Sequence, residues 1–83
     1  MSAQQIAAAF PARSRHGVVT GFYVYTGYGV RMERESGPYA THKEAVQHIA
    51  ANPALSNIIT AARVISGPVF TAQGSIVREE AAA

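Results

Sequence analysis

The chain of 83 residues is 48% hydrophobic and 14% charged, with a formal net charge of +2 at pH 7. This balance predicts one small globular domain, 1–83, rather than a disordered chain. The chain contains no cysteine, which excludes disulfides, zinc–thiolate sites and thiol catalysis. Because small secreted domains often need disulfides, the absence of cysteine also favours a cytoplasmic location. No apolar run is long enough to span a membrane, and no secretion signal is expected.

The N-terminal residues predict a short helix over 3–10. Ser2 can cap it, because Gln5 stands at the spacing of a capping box. Ile6 and Phe10 are four residues apart and would lie on one helical face. An isolated helix of this length is marginal, so it must dock through those two side chains or fray.

Residues 11–17 form a basic segment that we predict to be a linker or arm. It contains Arg13 and Arg15 and no acidic residue. Two interpretations remain open, solvated loop charge or contact with phosphate groups or an acidic partner surface. At the other end of the chain, the sequence predicts a frayed tail over 79–83.

Residues 18–26 predict the first strand, because they are rich in β-branched and aromatic side chains. A glycine-rich turn at 27–29 separates it from a second predicted strand over 30–35.

The length of the turn decides which side chains are buried. A three-residue loop at 26–28 places Phe22 and Val24 on the face of Val30 and Met32. We favour this register because it gathers apolar side chains and leaves Tyr23, Tyr25 and Arg31 on an outer face. A two-residue loop would instead bury Tyr23 and Tyr25.

A helix over about 41–52 is the clearest prediction in the chain. Thr41 and Glu44 have the spacing of a capping box. An apolar stripe containing Ala45, Val46 and Ile49 should face the sheet. The helix should end at Asn52, because the residue before a proline is disfavoured in helical conformation.

The C-terminal third predicts two more strands. Residues 58–66 read as the third, and Gly67 and Pro68 should interrupt it. A tight hairpin should join 69–72 to 75–78. The whole chain thus predicts an α+β fold with a four-stranded, mainly antiparallel sheet, the principal helix on one face and a short N-terminal helix. The expected core comprises Phe22, Val24, Val30, Met32, Val46, Ile49, Ile58 or Ile59, and Val64 or Ile65.

The residues that could carry catalysis or bind metal do not form a known arrangement. His42 and His48 are six apart and do not share a helical face as paired metal ligands would. Glu33 and Glu35 should be solvated on a short hairpin, and aspartate is absent from the chain. We therefore expect no enzyme, no bound metal and no cofactor.

Binding is the remaining class of function. The candidate residues are aromatic and basic side chains on the predicted outer face and arm, namely Arg13, Arg15, Tyr23, Tyr25, Tyr28 and Arg31. Few charges and an exposed tyrosine face favour a protein-interaction module and also suit self-association. The alternative is a nucleic-acid-binding module in which tyrosines stack on bases. Glu33 and Glu35, on the same predicted face as Arg31, oppose that alternative.

The stretch of about residues 20–50 resembles two kinds of small prokaryotic or phage domain. The resemblance rests on the run Gly37-Pro38-Tyr39-Ala40-Thr41-His42-Lys43-Glu44-Ala45. One kind is the arm-binding N-terminal domain of tyrosine recombinases, which has a similar Thr-x-x-Glu-Ala helix start and implies DNA binding through the sheet. The other is a set of short bacterial β-β-α-β-β proteins. In size and in lacking a catalytic site, the chain also resembles phage-encoded inhibitors such as anti-CRISPR proteins.

Overall fold

A computed structural model describes residues 2–57 and 59–79 of the chain. The elements, in chain order, are α1 (Ala3–Ala9), β1 (Thr20–Thr26), a single 3₁₀ turn (Gly29–Arg31), β2 (Glu33–Tyr39), α2 (His42–Ala51) and β3 (Arg63–Pro68). Of the predicted tail at 79–83, only Glu79 belongs to the described residues. Within the described part of the chain, no helix is long and apolar enough to cross a membrane.

The sheet has three antiparallel strands in the order β2-β1-β3, so the prediction of four strands was wrong, although the α+β class holds. The segment expected to supply the fourth strand forms only isolated pairs, such as Phe70 with Ile76. Instead of extending the sheet, this segment folds against α1. Val69 and Val77 pack there with Ile6 and Val19 in one buried cluster.

α1 is docked by this cluster. The predicted capping box is present, because Ser2 Oγ accepts from the Gln5 N–H at 3.2 Å and Gln5 Oε1 accepts from the Ser2 N–H at 2.7 Å. Ile6 is buried, and Phe10 packs against the same cluster from just beyond the end of the helix. Burial of Ile6 supplies the tertiary contact that a helix of seven residues needs.

The connection between β1 and β2 corrects both predicted hairpin registers. Thr26 pairs with Glu33, so the connection spans six residues, 27–32, rather than two or three. Gly27 lies at φ 90° and its N–H donates to the Thr60 carbonyl, which opens the loop away from a tight turn. Val30 and Met32 therefore lie outside the sheet and are exposed, against the prediction that both are core residues.

β2 also begins later and extends further than predicted. It continues through Gly37 and Pro38, beyond the predicted end of the strand at residue 35. Two register shifts make this continuation possible, one between the partners of Phe22 and Val24 and one between the partners of Val24 and Tyr25. Such bulges insert extra residues into one strand and break the regular alternation of side chains.

The principal helix, α2, has nearly the predicted bounds. Thr41 Oγ1 accepts from the Glu44 N–H at 3.2 Å, and the Asn52 N–H donates to the Ile49 carbonyl at 3.2 Å. Within its predicted apolar stripe, Ala45 is completely buried, whereas Val46 is 44% exposed. The side chain of Ile49 is half-buried.

Two histidines of α2 lie against aromatic side chains of the sheet. The His42 ring meets Phe22 edge-on with centroids 5.8 Å apart, and the His48 ring lies 5.5 Å from that of Tyr39. These contacts show that α2 covers the sheet face that carries Phe22.

The observed core differs from the predicted one in most positions. Val24 is completely buried, as expected, and Ile59 is exposed, whereas Ile58 lies outside the described residues. The half-buried members of the predicted set are Phe22, Ile49, Val64 and Ile65. The buried apolar side chains of the described residues are Ile6, Val19, Tyr23, Val24, Ala45, Val69 and Val77.

Candidate functional site

The sheet face opposite α2, which we call the open face, carries the candidate site. Side chains alternate along β1, so Tyr23 and Tyr25 lie on the face opposite Phe22. Residues directly across an antiparallel ladder share a face. Ile65, which is paired with Tyr23, and Arg63, which is paired with Tyr25, therefore belong to the open face.

Tyr23 lies on the open face but is buried, which corrects the prediction of an exposed ring. Its relative exposure is 5%. A Cβ added to Gly37 on β2 would lie 2.9 Å from its ring, and one added to Gly67 on β3 would lie 3.6 Å away. The ring therefore occupies space that glycines on both neighbouring strands leave empty, and its hydroxyl donates to the Pro68 carbonyl at 2.8 Å.

Arg34 covers the outer side of this ring. Its guanidinium carbon lies 5.2 Å from the Tyr23 ring centroid, within the range of a cation–π contact. Burial raises the pKa of the Tyr23 hydroxyl above its usual 10.0, while the Arg34 charge partly offsets that effect and Tyr25 adds slightly to it. Tyr23 is thus a neutral structural side chain with an arginine held above it.

A row of three side chains crosses the sheet beside Tyr23, and we call it the Arg–Tyr–Arg row. Tyr25 is paired with Arg34 on β2 and with Arg63 on β3. Both arginines are exposed and Tyr25 is half-buried. Neither arginine forms a salt bridge in the described part of the chain, whose single salt bridge joins Arg13 to Glu79.

Arg63 is held in place by the β1–β2 connection. Its Nη2 donates to the Gly27 carbonyl at 2.5 Å, and its guanidinium carbon lies 5.8 Å from the ring centroid of Tyr28. Tyr28 is 64% exposed at the end of the open face. Arg63 thereby links the Arg–Tyr–Arg row to a second aromatic ring, that of Tyr28.

The acidic residues of β2 are placed differently from the prediction. Glu33 is paired with Thr26, the residue after Tyr25, so it belongs to the face that α2 covers. Glu35 lies at the register shift between the partners of Val24 and Tyr25. The expected placement of Glu33 beside Arg31 on the outer face was therefore wrong, and this argument against nucleic-acid binding no longer applies to Glu33.

Arg13, one of the predicted binding residues, is occupied within the chain. Its guanidinium donates to the carbonyls of Ala7, Phe10 and Ala12 and to the carboxylate of Glu79. These bonds join the end of α1 to the C-terminal segment. The role of Arg13 that the structure shows is therefore to connect segments within the chain.

The other predicted binding residues are divided between several places. The structure brings Tyr25 and Tyr28 together through Arg63, whereas Arg15 is exposed in the segment before β1 and Arg31 is exposed in the 3₁₀ turn. Sequence reasoning missed Arg34 and Arg63 as site residues. Arg34 follows Met32 by two residues, so the incorrect register placed it with Met32 on the apolar face. Arg63 is an isolated charge in a β-branched segment without a distinguishing motif.

Other groups of potential ligands do not assemble. In residues 2–57 and 59–79, no group of three or more histidine and acidic side chains could hold a metal ion. An apolar groove of about 360 Å³ lies between α1, β2 and the C-terminal segment, and its lining residues are Ile6, Phe10, Pro38, Val69, Phe70 and Ala72. It contains no side chain suited to acid–base chemistry.

Comparison with known proteins found no matching protein family, no matching curated protein and no matching solved structure. The suggested function accordingly rests on the geometry of the open face.

Proposed function

We propose that this protein is a non-catalytic module that binds an acidic surface of a partner protein on its open face. The Arg–Tyr–Arg row carries the proposal. Arg34 and Arg63 are paired with Tyr25 on its two sides, and neither arginine forms a salt bridge within the described residues. Arginine pairs with carboxylates through two parallel hydrogen bonds. Two arginines on either side of the central strand β1 therefore suit a surface that presents more than one carboxylate.

The composition of the row favours a protein partner. Arginine and tyrosine are enriched in the centres of protein interfaces, whereas lysine is depleted there. The row contains two arginines and a tyrosine, and Lys43 is the single lysine of the chain. A cytoplasmic inhibitor of the phage or mobile-element type would act in this way, by covering an acidic surface of its target.

Nucleic-acid binding is the second candidate, and Tyr28 is the observation in its favour. Its exposed ring beside Arg63 could stack on a base. Tyr23 cannot serve in the same way, because the sheet covers one side of its ring and Arg34 lies over the other. One stacking ring supports a weaker nucleic-acid site than the two or three used by common single-strand-binding sheets.

Site-specific photocrosslinking tests the proposal. A benzophenone amino acid placed at Tyr28 would report contacts of the open face in extracts of the source cells, with and without nuclease. We expect a nuclease-resistant crosslink to a protein that is lost when Arg34→Gln and Arg63→Gln are combined. The matched control is Arg78→Gln, since Arg78 is exposed but lies in the C-terminal segment outside the sheet.

The same experiment separates the two candidates. A crosslink that disappears with nuclease treatment would favour the nucleic-acid alternative. A protein crosslink of equal strength in the Arg34/Arg63 double variant and the Arg78 control would refute the role of the Arg–Tyr–Arg row. Circular dichroism of each variant would confirm that its fold is retained.

A further inference from the structure

The two edges of the sheet differ in their capacity to pair with another strand. The β2 edge is interrupted by two register shifts and contains Pro38 and three consecutive charged residues at 33–35. Charges, proline and bulges are features that protect an edge from pairing. β3 has none of these in its centre, because six successive residues pair with β1 without a shift and Arg63 is its one charged residue.

The backbone groups on the outer edge of β3 are regularly spaced. Hydrogen-bonded and non-hydrogen-bonded pairs alternate along an antiparallel ladder. Since the Val69 N–H donates to the Val19 carbonyl at 3.0 Å, the bonded pairs fall on odd-numbered residues of β3. The N–H and C=O groups of Val64 and Ser66 therefore point away from β1, and no strand within residues 2–57 or 59–79 pairs with that edge.

We propose that β3 pairs antiparallel with β3 of a second copy of this chain, about a two-fold axis at Ile65. In this register, Val64 of each copy exchanges two backbone hydrogen bonds with Ser66 of the other. Ile65 lies opposite Ile65 of the second copy, and these half-buried side chains cover one another on the open face.

The sequence of β3 fits its own copy in this register. Arg63 lies opposite Gly67 of the second copy, so no like charges face each other. Every outward-pointing donor in the centre of the strand meets an acceptor, as an isologous interface requires. Any extended strand has this backbone spacing, whereas a second copy also places Ile65 against Ile65 and keeps like charges apart.

The dimer would contain one continuous sheet of six strands. A two-fold axis perpendicular to the sheet places both open faces on the same side and both α2 helices on the other. The two Arg–Tyr–Arg rows would then form one extended surface. The proposal does not depend on the function of that surface, because pairing uses the backbone of β3 and the Ile65 side chain.

Charge substitution at Ile65 tests both association and register. Sedimentation velocity would be measured from about 10 µM to about 1 mM, the range in which small interfaces associate. We expect the unmodified protein to dimerise, and Ile65→Lys and Ile65→Glu each to raise the dissociation constant at least about tenfold, because like charges then face each other on the axis. An equimolar mixture of the two variants should restore the dimer, since opposite charges then meet.

The control pair is Ile76→Lys and Ile76→Glu, because Ile76 is an exposed isoleucine that lies outside the sheet. These variants should dimerise as the unmodified protein does. A protein that stays monomeric at 1 mM, a dimer unaffected by either Ile65 variant, or the absence of restoration in the mixture of folded variants would each overturn the proposal.

A cysteine substitution tests the register without adding charge. The chain has no cysteine of its own, so Ile65→Cys introduces a single thiol. In the proposed register, the two Cys Cα atoms would be about 4.5 Å apart, within the range of a disulfide. Mild oxidation should therefore link most of the Ile65→Cys protein into dimers, whereas an Ile76→Cys control should remain largely monomeric. Equal crosslinking of the two variants would contradict the register.

Discussion

Replacement of Tyr23 by alanine should be the most destabilising change on the open face. The ring fills the space above Gly37 and Gly67, and its hydroxyl satisfies the Pro68 carbonyl. Truncation of a buried aromatic side chain costs about 3–5 kcal/mol in free energy of unfolding. A domain of 83 residues is expected to have a total stability of about 4–12 kcal/mol, so Tyr23→Ala would remove about a quarter of it or more.

One further variant, Tyr23→Phe, separates the packing and hydrogen-bonding parts of this loss, and a second variant serves as a control. Tyr23→Phe keeps the ring and removes the bond to Pro68, so it should cost about 0.5–1.5 kcal/mol. Tyr25→Ala is the matched control, because Tyr25 is the next tyrosine on the same face and is half-buried. It should cost clearly less than Tyr23→Ala.

Urea denaturation followed by circular dichroism would measure all three values. The expected order of destabilisation is Tyr23→Ala above both Tyr25→Ala and Tyr23→Phe. A loss below about 1 kcal/mol for Tyr23→Ala would refute the burial of the ring between the two outer strands. It would also revive the outer-face register in which Tyr23 is exposed.

Three further predictions concern other parts of the molecule. Arg13→Ala should lower the free energy of unfolding by about 1.5–3 kcal/mol, because the guanidinium binds three backbone carbonyls as well as Glu79. Glu79→Gln should cost less in the same urea assay, because it leaves the bonds to the carbonyls in place. Equal losses in the two variants would contradict the importance of those carbonyl bonds. Ala45→Leu should lower the free energy of unfolding by about 1–3 kcal/mol, because the larger side chain overpacks the completely buried contact of α2 with the sheet. A thermal denaturation midpoint equal to that of the unmodified protein would disprove this prediction. Because the pKa of Tyr23 is raised in the folded state, the unfolded chain loses this proton first, so stability should decline as the pH rises above about 10 and towards the folded-state pKa. Tyr23→Phe should remove that part of the decline in urea midpoints measured across alkaline pH, and an unchanged pH profile would argue against it.

The local signals at the helix ends were sufficient to predict both helices. Ser2 and Gln5 form their capping box, and Thr41 caps α2, since these contacts span only three residues. The absence of cysteine and the small number of charges are properties of the composition itself. Such features need no knowledge of distant contacts.

The position of the open-face residues could not be obtained in the same way. Both faces of β1 carry apolar or aromatic side chains, so alternation alone did not show which face is buried. The β1–β2 connection of six residues places Arg34 across from Tyr25 and leaves Arg31 in the 3₁₀ turn. The loop of six residues that permits this pairing depends partly on the bond from the Gly27 N–H to the distant Thr60 carbonyl.

The number of strands was likewise decided by tertiary contacts. The C-terminal segment has the side chains of a strand pair, yet Val69 and Val77 are buried with Ile6 and Val19 in the cluster that docks α1. The sequence by itself determined where the helices begin and the central strand runs, because those features depend on neighbouring residues. Only the tertiary structure decided which strands pair, which tyrosine is buried and which arginines meet, because these depend on contacts between residues far apart in the chain.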